Sequence, residues 1–78
     1  MMKTINRNTI NRLRNQYPPG CRVELVHMDD RQAPPVGTKG TVLGVDDTGS
    51  LIMSWDNGSG LNVIDGEDVV RKVGDENE

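Results

Sequence analysis

Acidic side chains dominate the groups in this sequence that could perform chemistry. Most stand at turn-like positions, and they are Asp29, Asp30, Asp46, Asp47, Asp56, Asp65, Glu67 and Asp68. Catalysis by a carboxylate pair needs one carboxyl in apolar surroundings so that the two pKa values separate. Acids beside glycine or asparagine usually cap turns instead. The two acidic runs, residues 46–47 and 65–68, do not have the ligand spacing of a calcium-binding loop. The sequence therefore favours a protein that is not an enzyme and that holds no metal or cofactor.

The chain has one histidine and one cysteine, His27 and Cys21. They fall short of the four ligands of structural zinc. Cys21 opens an alternating run, so we expect it to be a small core residue, and we expect His27 on a strand surface. A lone cysteine suits a reducing compartment, and the chain has neither an apolar run of about 20 residues nor a signal peptide. The sequence thus predicts a cytoplasmic protein with no membrane partner.

Basic residues gather before Tyr17, where no acid occurs. They are Lys3, Arg7, Arg12 and Arg14. These cations are the one reasonable footprint for nucleic-acid phosphates in a chain whose net charge is −3. The plainer interpretation, a solvated helix face, is the one that we favour, and nucleic-acid binding through this segment is the alternative.

The basic segment has the periodicity of an amphipathic helix over residues 3–16. Ile10, Leu13 and Tyr17 fall on one stripe, with Ile5 near it. Thr4 or Asn8 is the expected N-cap, and the prolines after Tyr17 end the helix there. Such a short helix is marginal in water, so packing must hold it.

Residues 17–73 read as five short strands separated by turns, at 21–27, 38–46, 51–55, 61–64 and 69–73. Gly40 and Gly44 lie inside a strand, where glycine marks a bend, a bulge or a close backbone approach. Gly49 and Gly58 stand where hairpins require positive φ. The aromatic residue Trp55 is expected to pack and to anchor the second hairpin, which contains Asp56 and Asn57.

The register of this hairpin follows from a two-residue turn at Asn57-Gly58. That turn places Leu51 opposite Ile64 and leaves Ile52, Leu61 and Val63 on the other face. Both faces would then need a cover. The apolar stripe of the helix, from this chain or from a second copy, is the expected second cover.

These elements together indicate a mainly β fold, a small five-stranded SH3-like barrel with an N-terminal helix. The ordered motifs YPPGCRVELV (17–26), MDD (28–30), PPVGTKGTV (34–42), VDDTG (45–49) and WDNGS (55–59) resemble the bacterial and phage family named domain of unknown function 4314. The resemblance covers residues 17–73 and implies the fold and a phage or mobile-element context. It leaves the helix, residues 1–16, outside its strong part, and residues 74–78 read as an acidic disordered tail.

Composition limits the functions of an SH3-like module. Proline-peptide grooves and methyl-lysine cages need several aromatic walls, and the chain offers Trp55 and Tyr17. We therefore expect a non-enzymatic binding or accessory module whose main partner is another protein. Nucleic-acid binding through the helix is the alternative, and a homo-oligomer through the helix is a further expectation.

Overall fold

The computed structural model describes residues 6–74, which form one helix and five strands. The elements are α1 (Arg7–Gln16), β1 (Arg22–His27), β2 (Lys39–Val45), β3 (Ser50–Trp55), β4 (Val63–Ile64) and β5 (Val69–Lys72). All strands lie in one antiparallel sheet of order β4-β3-β2-β1-β5. The predicted mainly β fold is confirmed. Because β4 and β5 are the two edges of this sheet within residues 6–74, the sheet is not closed and the term barrel is approximate.

Two irregularities in strand pairing bend the sheet. The pairing of β2 with β3 shifts between Val42 and Gly44, so Leu43 is an extra residue in its strand. The pairing of β1 with β5 shifts in the same way between Leu25 and His27. Such bulges bend a strand and increase its twist, which curls the sheet around one apolar face. The predicted association of Gly44 with a bend or bulge is confirmed.

The concave face of the sheet carries the core. Side chains alternate between buried and exposed along β1 and β3, as expected for strands with one covered face. The buried residues are Leu13, Val23, Leu25, Val42, Val45, Leu51, Met53, Trp55 and Val63. The core is therefore aliphatic apart from one indole ring, as the composition requires.

The hairpin between β3 and β4 differs from its prediction by one residue. Trp55 N–H donates to the Ser59 carbonyl and Gly58 N–H donates to the Trp55 carbonyl, which closes a three-residue loop with glycine at its last position. Leu51 consequently pairs with Val63 and not with Ile64. A one-residue slip exchanges the faces of a strand, so Val63 enters the core.

The expectation of two covered faces is therefore wrong. Ile64 lies on the outer face with 44% of its surface exposed, and Leu43 is 55% exposed. Strand β4 is also shorter than predicted, with two residues. A side chain replaces part of the missing ladder, because the Asn62 Oδ1 accepts from Met53 N–H at 3.4 Å.

Helix α1 begins later than predicted. Asn6 is its N-cap, with Oδ1 accepting from the Asn8 N–H at 2.6 Å, so the expectation of Asn8 as the cap is wrong. The helix ends at Gln16 with Tyr17 as its C-cap, as the prolines predict. Leu13 is buried in the core of its own chain, and Ile10 and Tyr17 pack against that core. The predicted contact between the apolar stripe and the sheet is confirmed.

Some expectations fall outside the described residues. They concern Lys3, Thr4, Ile5 and residues 75–78 of the acidic tail. Between residues 6 and 74, no helix has the length and apolar character needed to cross a lipid bilayer.

Candidate functional site

A groove of about 450 Å³ crosses the loops that join β1 to β2, β2 to β3, and β4 to β5. Its lining includes five carboxylates, from Asp29, Asp30, Asp46, Glu67 and Asp68. The apolar side chains of Met28, Leu61 and Ile64 line the same groove, and none of its lining residues in the described chain is basic. We call this surface the acidic groove.

Asp46 fixes the turn at one wall of the acidic groove. Its Oδ1 accepts hydrogen bonds from the Thr48 hydroxyl at 2.7 Å, from Thr48 N–H at 3.0 Å and from Ser50 N–H at 2.9 Å. These bonds favour the charged form, and the one from the Thr48 side chain contributes most to a pKa of Asp46 below its usual value. Asp46 is therefore ionised at neutral pH and serves the turn.

The other four carboxylates of the acidic groove divide into two kinds. Asp30 and Asp68 each accept a backbone hydrogen bond within their own turn, both at 2.8 Å. Asp29 and Glu67 form no ion pair with any residue between 6 and 74. The groove thus combines carboxylates that shape its loops with two that are available to a partner.

The three described cations of the predicted nucleic-acid segment, Arg7, Arg12 and Arg14, do not all lie on one surface. Arg12 pairs with Asp65 at 3.4 Å on one side of α1. Arg14 lies on the other side, where its Nη2 donates to the Val45 carbonyl at 3.4 Å and stands 3.8 Å from the Asp47 carboxylate. Arg14 is therefore directed at the β2–β3 loop, and the interpretation of the cations as a fully solvated helix face does not hold for it.

Arg7 and Arg14 line one open cleft beside α1, together with Asp47. Arg7 makes no ion pair with the residues that the structure describes. Lys3, the fourth predicted cation, lies outside those residues. Two of the three described cations of the segment are thus directed at acids of the sheet loops.

Side-chain hydrogen bonds fix the conformation of the hairpin between β3 and β4. Trp55 is 2% exposed, and its Nε1 donates to the Leu61 carbonyl at 2.8 Å. Asp56 receives two hydrogen bonds from the Arg22 guanidinium, at 2.8 and 2.5 Å, and these lower the pKa of Asp56. Asn57 Oδ1 accepts from Ser59 N–H at 3.0 Å. Each of these contacts holds the hairpin to itself or to β1.

Three glycines that the sequence singles out, Gly40, Gly49 and Gly58, have different structural roles. Gly49 and Gly58 have φ values of +83° and +94°, which confirms the predicted positive φ at both turns. Gly40 instead allows a close approach, because a Cβ there would stand 2.7 Å from the Trp55 ring. The absence of a side chain at Gly40 is what lets the indole pack flat against β2.

Cys21 and His27 occupy the places expected of structural residues. Cys21 is half-buried against the core, and burial raises the pKa of its thiol. His27 is exposed at the end of β1. Among residues 6–74, no three side chains of His, Cys, Asp or Glu come together in a way that could hold a metal ion.

A family model described as "Domain of unknown function (DUF4314)" matches residues 6–73. The chain belongs to this family. The match begins at Asn6, so it includes α1, and the expectation that the helix lies outside the strong part of the resemblance is wrong. No curated protein and no solved structure matches the chain.

The sequence predicts that the acids of the acidic groove are turn residues, but it does not predict that they line one groove. The reason is topological: Asp29, Asp46 and Glu67 lie in three different loops, and only the curled sheet brings those loops together. The one signal in the sequence that could have indicated the groove is that all of these loops carry acidic residues.

Proposed function

We propose that this chain is a non-enzymatic binding module that takes a basic segment of a protein partner in the acidic groove. The supporting observation is that five carboxylates from three loops line one groove together with three apolar side chains. Loops on a rigid sheet are a common place for binding sites. The accompanying proposals are an accessory role and a location in the cytoplasm, where a lone cysteine stays reduced.

Charge and apolar area contribute differently to this proposed contact. An exposed ion pair contributes about 0.2–1 kcal/mol, and electrostatic complementarity mainly speeds association and selects partners. The apolar part of the contact surface comes from Met28, Leu61 and Ile64, which can bury aliphatic groups of the partner. The partner segment therefore combines lysine or arginine with at least one aliphatic residue, and its binding weakens with salt.

A peptide titration followed by NMR tests the proposal. Peptides selected from a random library on the immobilised full chain are titrated into the labelled protein, and we expect basic peptides with aliphatic residues to shift Asp29, Asp46 and Glu67. Glu67→Gln should weaken binding about threefold, which is the value of one exposed ion pair. Asp47→Asn also removes one negative charge but lies outside the groove, so it should leave the affinity unchanged.

Three results would count against the proposal. One is a selection dominated by acidic or neutral peptides. Another is a set of shifts confined to the outer face around Leu43 and Ile52. The third is equal weakening by Glu67→Gln and Asp47→Asn, because that would reflect net charge and not the acidic groove.

Nucleic-acid binding through the helix is the second candidate, favoured by Arg7, which forms no ion pair with residues 6–74. Four phosphate contacts from Lys3, Arg7, Arg12 and Arg14 would give a slope of log K against log salt of about −3.6. With Arg12 and Arg14 directed at acids of the sheet loops, two contacts remain and the slope becomes about −1.8.

Fluorescence anisotropy on labelled single- and double-stranded oligonucleotides decides between the two candidates. If the helix binds nucleic acid, Arg7→Glu should abolish binding while the thermal midpoint stays unchanged. Tight binding that survives Arg7→Glu would exclude the helix as the site. The absence of binding at low salt would leave the acidic groove as the proposed site.

A further inference from the structure

A second cavity lies between α1 and the side on which the sheet stays open. It has a volume of about 190 Å³ and shares one lining residue, Asp68, with the acidic groove. Five aliphatic side chains line it beside the ring of Tyr17, from Leu13, Leu51, Val63, Val69 and Val70. We call this cavity the helix cleft.

The interior of the helix cleft is apolar. Leu13, Leu51 and Val63 are each at most 2% exposed, and Tyr17 and Val70 are half-buried against the same core. A cavity of about 150 Å³ with aliphatic and aromatic walls is large enough to take up benzene. The helix cleft therefore has room for an apolar body of that size.

The solvent side of the helix cleft carries a net negative charge. Asp65 and Asp68 both line it, and both are partly exposed. Arg12 stands 3.4 Å from Asp65 and offsets one of these two charges. Asp68 uses its Oδ2 to accept from Ile64 N–H, which leaves its Oδ1 for another donor. One negative charge thus remains beside an apolar cavity.

We propose that the helix cleft binds a small primary ammonium compound whose apolar body is about the size of a benzene ring. The body occupies the space between Leu13, Val63 and Val70. The ammonium group lies at the carboxylates, where Asp68 accepts a charge-assisted hydrogen bond. The Tyr17 ring adds a surface that attracts a cation. Asp68 also lines the acidic groove, whereas the apolar wall of the helix cleft is separate from that groove.

Benzylammonium is the probe, and benzyl alcohol is its neutral counterpart. Titrated into the full chain at fixed ionic strength, benzylammonium should give saturable methyl and amide shifts at Leu13, Tyr17, Val63 and Val70. Benzyl alcohol should shift the same residues with about tenfold lower affinity, because it cannot form the charge-assisted hydrogen bond to Asp68. No saturable shift at these residues, or equal affinity for the two probes, would overturn the proposal.

Two variants separate the charge from the cavity. Asp68→Asn keeps an oxygen for Ile64 N–H but removes the charge, so it should reduce the affinity for benzylammonium about tenfold and leave benzyl alcohol unaffected. Asp47→Asn removes one charge outside the helix cleft and should change neither affinity. Equal effects of these two variants would contradict the assignment.

Val70→Phe should fill the helix cleft and abolish binding of both probes. If that variant does not fold, Val70→Ile adds one methylene and should weaken both probes by a similar factor. Undiminished binding in a folded Val70 variant would overturn the proposal. So would shifts centred on Asp29 and Glu67, since these residues line the acidic groove.

Discussion

The central strands and the helix of this small fold are held in different ways. In β1, β2 and β3, buried side chains from neighbouring strands pack directly against one another, with Val23 and Val42 completely inaccessible to solvent. Helix α1, as described at Arg7–Gln16, contributes one fully buried side chain, Leu13. Its remaining attachment consists of half-buried apolar contacts, exposed ion pairs and the hydrogen bond from Arg14 to the Val45 carbonyl.

This difference shows where the molecule can open. A ten-residue helix is marginal in water, and exposed ion pairs contribute about 0–1 kcal/mol each. The sheet has a continuous core and its own hydrogen-bond ladder, so it should outlast the docked helix. The helix cleft lies in the contact region between the two parts, which is the region that local opening would expose first.

The largest effect is expected in the sheet, at Gly40. Gly40→Val would place a Cβ 2.7 Å from the Trp55 ring and 3.1 Å from the Ser54 carbonyl oxygen, so the backbone or the indole must move. Overpacking of this kind should reduce the free energy of unfolding by more than about 3 kcal/mol. Urea denaturation followed by Trp55 fluorescence measures it.

Gly44→Val in the same strand is the matched control. No heavy atom lies within 4 Å of a Cβ at Gly44, so its effect should stay within about 0.5 kcal/mol. Equal losses at the two glycines would mean that the strand resists any side chain, and that close packing against Trp55 is not the cause.

The next effect tests the helix. Leu13→Ala removes its one fully buried side chain and should cost about 2 kcal/mol, at the low end for a buried leucine because α1 can settle onto the space. Hydrogen exchange should then be faster in α1 while the amides of β2 and β3 stay protected. The exposed Asn11→Ala in the same helix should leave both regions unchanged.

A cooperative loss of protection in both regions of Leu13→Ala would contradict the separation of helix and sheet. The same result would show that the sheet needs its helix in order to fold.

Periodicity and turn residues predicted the elements of both regions. The alternation of Cys21, Val23 and Leu25 indicated the inner face of β1, and the prolines after Tyr17 marked the end of α1. These signals are local, and the side-chain period of a strand or helix is fixed by backbone geometry. Local sequence was therefore enough to predict which elements occur and which faces of α1 and β1 are apolar.

Two features depended on information that no local pattern carries. Asn57-Gly58 suits a two-residue turn, but a three-residue loop also needs glycine at its last position, and the structure adopts the latter. That choice of loop moved Val63 to the core face. The acidic groove depends on three loops meeting across the sheet, which follows from strand order and curvature.

A smaller effect is expected at the turn of the second hairpin. Gly58 has a φ of +94°, so Gly58→Val should cost roughly 1–2 kcal/mol from backbone strain in the left-handed region. Thermal melts measure it. Gly60→Val is the control, since Gly60 is outside that region and nothing lies within 4 Å of its Cβ position. An unchanged midpoint for Gly58→Val would mean that the loop can re-form around a side chain.

The smallest effect concerns two adjacent carboxylates that serve the two regions. Asp46 caps the β2–β3 turn of the sheet, whereas Asp47 stands 3.8 Å from Arg14 of the helix with its side chain 98% exposed. Hydrogen bonds, chiefly from Thr48, lower the pKa of Asp46 in the folded state. The folded state therefore binds its proton less readily than the unfolded state, in which an aspartate has a pKa of about 3.9.

The sign of the pH dependence follows from this order of pKa values. The stabilisation from Asp46 is fully present above about pH 4 and is lost as the pH falls through its lowered folded pKa. Asp46→Asn should cost about 1 kcal/mol or less at pH 7 and should reduce the loss of stability on acidification. Asp47→Asn should keep the acid dependence of the wild type. Urea midpoints measured between pH 7 and pH 2 check both expectations, and an unaltered acid dependence in Asp46→Asn would show that other carboxylates govern it.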